Sequence, residues 1–80
     1  MAVLYNNRGV SKFKLEDYEG AIADYYKALE INPNFADAYY NRGVSKLKLK
    51  NQKESACLDL NKATELGSKD AKEKIETNCK

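Results

Sequence analysis

Histidine is absent from this 80-residue chain, proline occurs once, and no apolar run approaches the about 18 residues that a membrane span needs. Each absence closes a class of function. Without histidine the commonest general base is missing, and neither cysteine has an imidazole partner to activate it as a nucleophile. The four glycines form no phosphate-cradling loop, and no paired-carboxylate motif appears. The residues therefore point to no enzyme activity and to no cofactor. Cys57 and Cys79 stand far apart rather than as a C-x-x-C pair, and few other zinc ligands accompany them, so no metal site is expected. Two free, partly buried thiols are the preferred reading, with a disulfide or, less favoured, a metal site as the alternatives. The start, Met1-Ala2-Val3-Leu4-Tyr5, lacks the apolar core of a signal peptide, which leaves a cytoplasmic protein as the simplest expectation.

What is present suits a soluble helical protein. An apolar fraction of 42% with 32% charged residues is too hydrophobic for a disordered chain. A formal net charge of +2 does not by itself call for nucleic acid or a membrane as partner. Residues 1–80 make one domain, and a chain this short has a thin stability margin. Regular helix-on-helix stacking is the economical way to pack it.

The chain repeats itself. Residues 5–15 read Tyr-Asn-Asn-Arg-Gly-Val-Ser-Lys-Phe-Lys-Leu and residues 39–49 read Tyr-Tyr-Asn-Arg-Gly-Val-Ser-Lys-Leu-Lys-Leu, identical at nine of eleven positions with an offset of 34. A weaker echo relates Ala21–Asn32 to Ala56–Gly67 at an offset of 35, which places one extra residue near Lys50-Asn51-Gln52-Lys53, where a connecting turn tolerates it. Each unit reads as two helices: 2–15 and 18–31, then 35–50 and 53–66. In the second helix Ala21, Tyr25, Ala28 and Leu29 form one apolar stripe. Pro33 ends it, Asn34 is placed to cap the next helix, and Gly67 suits a left-handed C-terminal cap. Ser68 or Asp70 caps a fifth helix. Strand signals are absent.

A helix–turn–helix unit recurring every 34 residues resembles the tetratricopeptide repeat. The family's marks fall on Tyr5, Gly9, Ala21, Tyr25, Ala28 and Pro33 in the first unit, and on Tyr39, Gly43, Ala56, Leu60 and Ala63 in the second, where Ser68 replaces the proline. The resemblance implies an all-α solenoid of five helices: repeat one over 2–34, repeat two over 35–67, and a solvating helix over 69–79. Gly9 and Ala21 are small enough for the helices of one unit to approach closely. Two departures recur in both copies. Arg8 and Arg42 stand where the family has leucine, and Lys12 and Lys46 where it prefers an aromatic. In a hairpin of this kind Asp24 and Asp59 face those arginines, so Arg8–Asp24 and Arg42–Asp59 contacts are expected, as exposed pairs worth about 0.2–1 kcal/mol each.

The resemblance also implies a concave groove lined by the first helix of each unit, which takes an extended peptide or a partner's helix. Mapped onto this chain it comprises Asn6, Asn7, Val10, Phe13 and Lys14, with Tyr40, Asn41, Val44, Leu47 and Lys48. Asn7 and Asn41 are equivalent positions; an amide donates and accepts, so the pair either grips a peptide backbone or only meets water. Arg8, Lys12, Lys14, Arg42, Lys46, Lys48 and Lys50 make the first helices basic, which favours an acidic peptide, although pairing with the acids of the second helices accounts for part of that charge. The clamp with which some members grip chaperone tails matches poorly, since Asn6 and Val10 stand where its first lysine and asparagine belong. The alternative to a peptide-binding scaffold is a self-associating or designed repeat module, because two repeats lie below the about 3 usually wanted and could be completed by a homo-oligomer. RNA binding would need more basic residues.

Overall fold

The computed structural model describes residues 1–80 and contains five helices and no strand: α1 (Ala2–Lys14), α2 (Tyr18–Ile31), α3 (Ala36–Leu47), α4 (Lys53–Glu65) and α5 (Lys69–Asn78). Each helix packs on its sequence neighbours, and α1 also touches α3, so the elements stack as a helical repeat. No helix is long and apolar enough to cross a membrane.

The turns follow from local chemistry. After α1, Glu16 takes a left-handed φ of 64°, which lets its N–H reach the Phe13 carbonyl and the Asp17 N–H reach that of Lys12, both at 2.9 Å. Asp17 then caps α2, its carboxylate accepting from the Gly20 N–H at 3.0 Å. After α4 the same pair of bonds forms with Gly67 in the left-handed position, φ 105°, as its sequence suggests. Ser68 caps α5 by accepting from the Ala71 N–H at 3.1 Å.

Two boundaries differ from expectation. α3 ends at Leu47 rather than Lys50, because Lys48 and Leu49 donate to carbonyls three residues back and Asn51 turns left-handed at φ 63°. The residue that the second unit has in excess is absorbed there. Asn34 does not cap α3: its N–H is taken by the Asn32 side chain at 3.1 Å, and Phe35 occupies the cap position without a side-chain bond.

Small residues let the helices close on one another. A Cβ built on Gly9 would lie 2.5 Å from Cε1 of Tyr25, and one on Gly43 would lie 2.9 Å from Cγ of Leu60 and 3.0 Å from the Ala56 carbonyl. Ala21, Ala28, Ala38, Ala56, Leu60, Ala63 and Ala71 are fully buried. Between the units Ala28 and Leu29 receive Ala38; between α4 and α5 Leu60 and Ala63 receive Ala71.

The cysteines correct the sequence reading. They are not free thiols: Cys57 on α4 and Cys79, just past α5, form a disulfide across 22 residues, with Cα atoms 5.9 Å apart. Spacing in sequence concealed this, because the return of α5 along α4 is what brings them together.

Candidate binding groove

α1 and α3 lie side by side, joined where the buried Asn6 carbonyl oxygen accepts from the Asn41 amide at 3.1 Å. Beside this bond is a depression of about 190 Å³ lined by Val10, Phe13, Tyr25, Tyr40, Asn41 and Val44. Five of the ten residues mapped to the groove thus meet in one place. Tyr25, which the sequence assigned to packing alone, comes from α2 to form part of the lining. Burial pushes its phenol up to about 12, partly offset by the Ser45 hydroxyl beside it. It therefore stays a neutral hydroxyl at any ordinary pH. Burial likewise raises Tyr40, helped by the Asp70 and Glu73 carboxylates of α5, so that flank of the groove carries acid.

The other mapped residues lie elsewhere. Asn6 is committed to Asn41 and is 7% exposed. Asn7, though equivalent to Asn41 in the repeat, stands in the open, because no helix lies beside α1 as α1 lies beside α3. Leu47 packs toward the Leu60–Ala63–Ala71 cluster, at the side of the groove. Lys14 and Lys48 are exposed and form no ion pair.

The remaining cations face away from the groove. Arg8 donates from Nε and Nη2 to Asp24 at 2.9 and 2.7 Å, and Lys12 approaches the same carboxylate at 3.2 Å. Arg42 repeats this on Asp59 at 2.9 and 2.7 Å, with Lys46 at 2.9 Å and also donating to Ser55 at 2.7 Å. Both expected contacts form, but they are not exposed pairs. The Asp24 and Asp59 side chains are only 2% and 8% exposed, each with two cations over it. Hydrogen bonding from Arg8 holds the Asp24 carboxyl below its usual range against the opposing effect of burial. The basic face inferred from composition is thus largely consumed within each unit, and Lys14 and Lys48 are the unpaired cations of the mapped groove.

Missed altogether was Ser45. It is fully buried between the units, donating to the Asn41 carbonyl at 2.9 Å while lying against Tyr25. Its repeat equivalent, Ser11, is exposed, so sequence gave no sign that one of two identical serines would be interior.

Two family models match the chain, both described as tetratricopeptide repeat, over residues 2–35 and 25–57. No curated protein sequence matches it significantly.

Proposed function

The chain belongs to the tetratricopeptide repeat family, whose repeats are in general protein–protein interaction modules, and from that premise we propose that it is a non-catalytic module holding an extended, acidic peptide in the α1–α3 groove. One observation carries this reading: the depression among Val10, Phe13, Tyr40, Asn41 and Val44, with unpaired Lys14 and Lys48 one helical turn beyond Val10 and Val44. At about 190 Å³ it is smaller than the roughly 300–1,000 Å³ of sites that enclose a whole small molecule. It suits one apolar side chain of a longer ligand. The Asn41 amide retains a donor and its carbonyl oxygen for a peptide backbone passing over the depression. Lys14 and Lys48 then favour acidic residues flanking the apolar anchor.

Catalysis finds no support in these residues. The chain has no histidine, and each cysteine is committed to the other. A cytoplasmic setting would keep Cys57 and Cys79 as thiols; the residues lining the depression come from α1, α2 and α3, and α5 touches it only at the Tyr40 flank.

The test is a peptide array of apolar-centred, acidic-flanked sequences, with affinities of the hits followed by fluorescence anisotropy. Val44→Asp should abolish binding, and Lys14→Ala with Lys48→Ala should weaken it and flatten its salt dependence. Hits that bind all these variants as well as the parent would remove the groove assignment.

A further inference from the structure

Three helices of this chain are of the first-helix type, and the last breaks their pattern. At four-residue steps α1 carries Leu4, Arg8 and Lys12, and α3 carries Ala38, Arg42 and Lys46. Ala71 rests on Ala63 as Ala38 rests on Ala28, and in that register α5 continues with Ile75 and then Cys79. An aliphatic chain and a disulfide-bonded cysteine replace the two cations. Both turn onto the Leu60–Ala63 cluster, and Cys79 is bonded to Cys57 of α4. Apart from that bond, α5 is held by one fully buried residue, Ala71, and by the half-buried Ile75, and ten residues are too few for a stable isolated helix.

The surface beneath α5 has an internal twin. Leu60 and Ala63 stand where α2 has Tyr25 and Ala28, and α2 is covered there by α3. α1 is the helix most like α3, identical at nine of eleven positions over 5–15 and 39–49, yet its corresponding face is open. Leu4 is 65% exposed where Ala38 is fully buried, and the Arg8 side chain is 55% exposed against 17% for Arg42. Sizes are also complementary. α2 offers Leu29 to the small Ala38, whereas α4 has the smaller Thr64 at that position, opposite which the larger Leu4 would fit.

We propose that the Cys57–Cys79 disulfide is a clasp that keeps α5 on α4, and that its reduction by a small dithiol frees α5 and lets α1 of a second copy dock in its place. In the exchange one thiolate of the reagent attacks a cysteine sulfur and the other cysteine leaves as thiolate. The reagent's second thiol then displaces the first cysteine, closing the reagent's own disulfide, and its two protons end on Cys57 and Cys79. The bond is within reach, since both cysteines line an open depression of about 620 Å³. Lys53 and Lys80 line it and favour the thiolates, opposed by the single acid Glu54. A contact between α1 of one copy and α4 of the next joins unlike surfaces, and because it repeats the α2–α3 step from copy to copy it continues the solenoid as an open array. Reducing and oxidising compartments would hold different assemblies of the same chain.

Sedimentation of the 80-residue chain with and without dithiothreitol tests this. The oxidised form should sediment as one copy of 9.1 kDa at every concentration. The reduced form should gain average mass continuously as concentration rises, with faster amide exchange confined to α5. The double variant Cys57→Ser, Cys79→Ser should associate without reductant. Leu4→Glu, at an exposed position that leaves the fold intact, should return the reduced chain to one copy. A reduced chain that stays single, that stops at a dimer, that loses its helical circular dichroism, or that associates equally with Leu4→Glu overturns the proposal.

Discussion

Arg42 and Asp59 meet through two parallel hydrogen bonds, Nε to Oδ2 at 2.9 Å and Nη2 to Oδ1 at 2.7 Å, on a carboxylate that is 8% exposed and also held by Lys46. The fork ties α3 to α4 with two fixed directions, and the cations lose their partner together if the carboxylate is removed. Asp59→Ala should therefore destabilise the chain by about 1.5–3 kcal/mol, more than an exposed pair contributes. Urea denaturation at neutral pH measures it, and a loss below about 0.5 kcal/mol would return the pair to the surface class.

The corresponding acid in the first unit makes stability depend on pH. Asp24 has a folded carboxyl pKa below its ordinary value of 3.8, chiefly through hydrogen bonding from Arg8. A depressed carboxyl pKa stabilises the fold above the unfolded value, and that contribution disappears as pH falls below 3.8 through the folded value. Urea midpoints followed from neutral pH into that range should fall. Asp24→Asn should start lower and fall less; an equally steep decline would assign the acid sensitivity to other groups.

Gly43 and Leu60 are in contact so close that a methyl group has no room. The substitution Gly43→Ala gains about 0.8–1 kcal/mol of helix propensity, but the new Cβ would sit 2.9 Å from Leu60 Cγ and 3.0 Å from the Ala56 backbone oxygen, which cannot swing aside. Overpacking of this kind costs about 1–3 kcal/mol. Thermal melts should show a net loss, and a melting point above the parent's would mean that α3 and α4 can separate freely.

Glu16 and Gly67 hold the same left-handed position after α1 and α4, at φ 64° and 105°. Only the second is a residue without a Cβ. Glu16→Gly should stabilise the chain by about 1 kcal/mol by relieving the strain of an L-residue there. Gly67→Ala should destabilise it by a similar amount through the backbone alone, since nothing lies within 4 Å of the added Cβ. Opposite signs in one denaturation series check both.

Much of the fold could be read from the residues because the determinants repeat locally. The doubled Tyr-x-Asn-Arg-Gly-Val-Ser-Lys run located the first helices, Pro33 and Gly67 their punctuation, and Asp24 and Asp59 the partners of Arg8 and Arg42. The Asn34 cap failed because α3 starts one residue later, with Phe35 in the cap position, while the Asn34 N–H is tied back to the Asn32 side chain. For the groove, the family resemblance suggested which side chains share a face, and five of the ten line one depression. How basic that face would be was not legible, since a lysine on a helix looks the same in sequence whether it meets solvent, as Lys14 does, or a buried carboxylate, as Lys46 does.

Sequence by itself determined the repeat, its helices and the small residues at their crossings, because these depend on short spacings that recur; the pairing of each arginine with an aspartate came from the hairpin that the family resemblance implies. Only the tertiary structure decided which copies of equivalent residues are interior. Ser45, Asn41 and Arg42 are covered by the preceding unit, while Ser11, Asn7 and Arg8 are not. It also decided that Cys57 and Cys79 meet. Position along a stack and the return of a distant helix are properties of how elements are arranged in space, and a residue's chemical type carries no record of either.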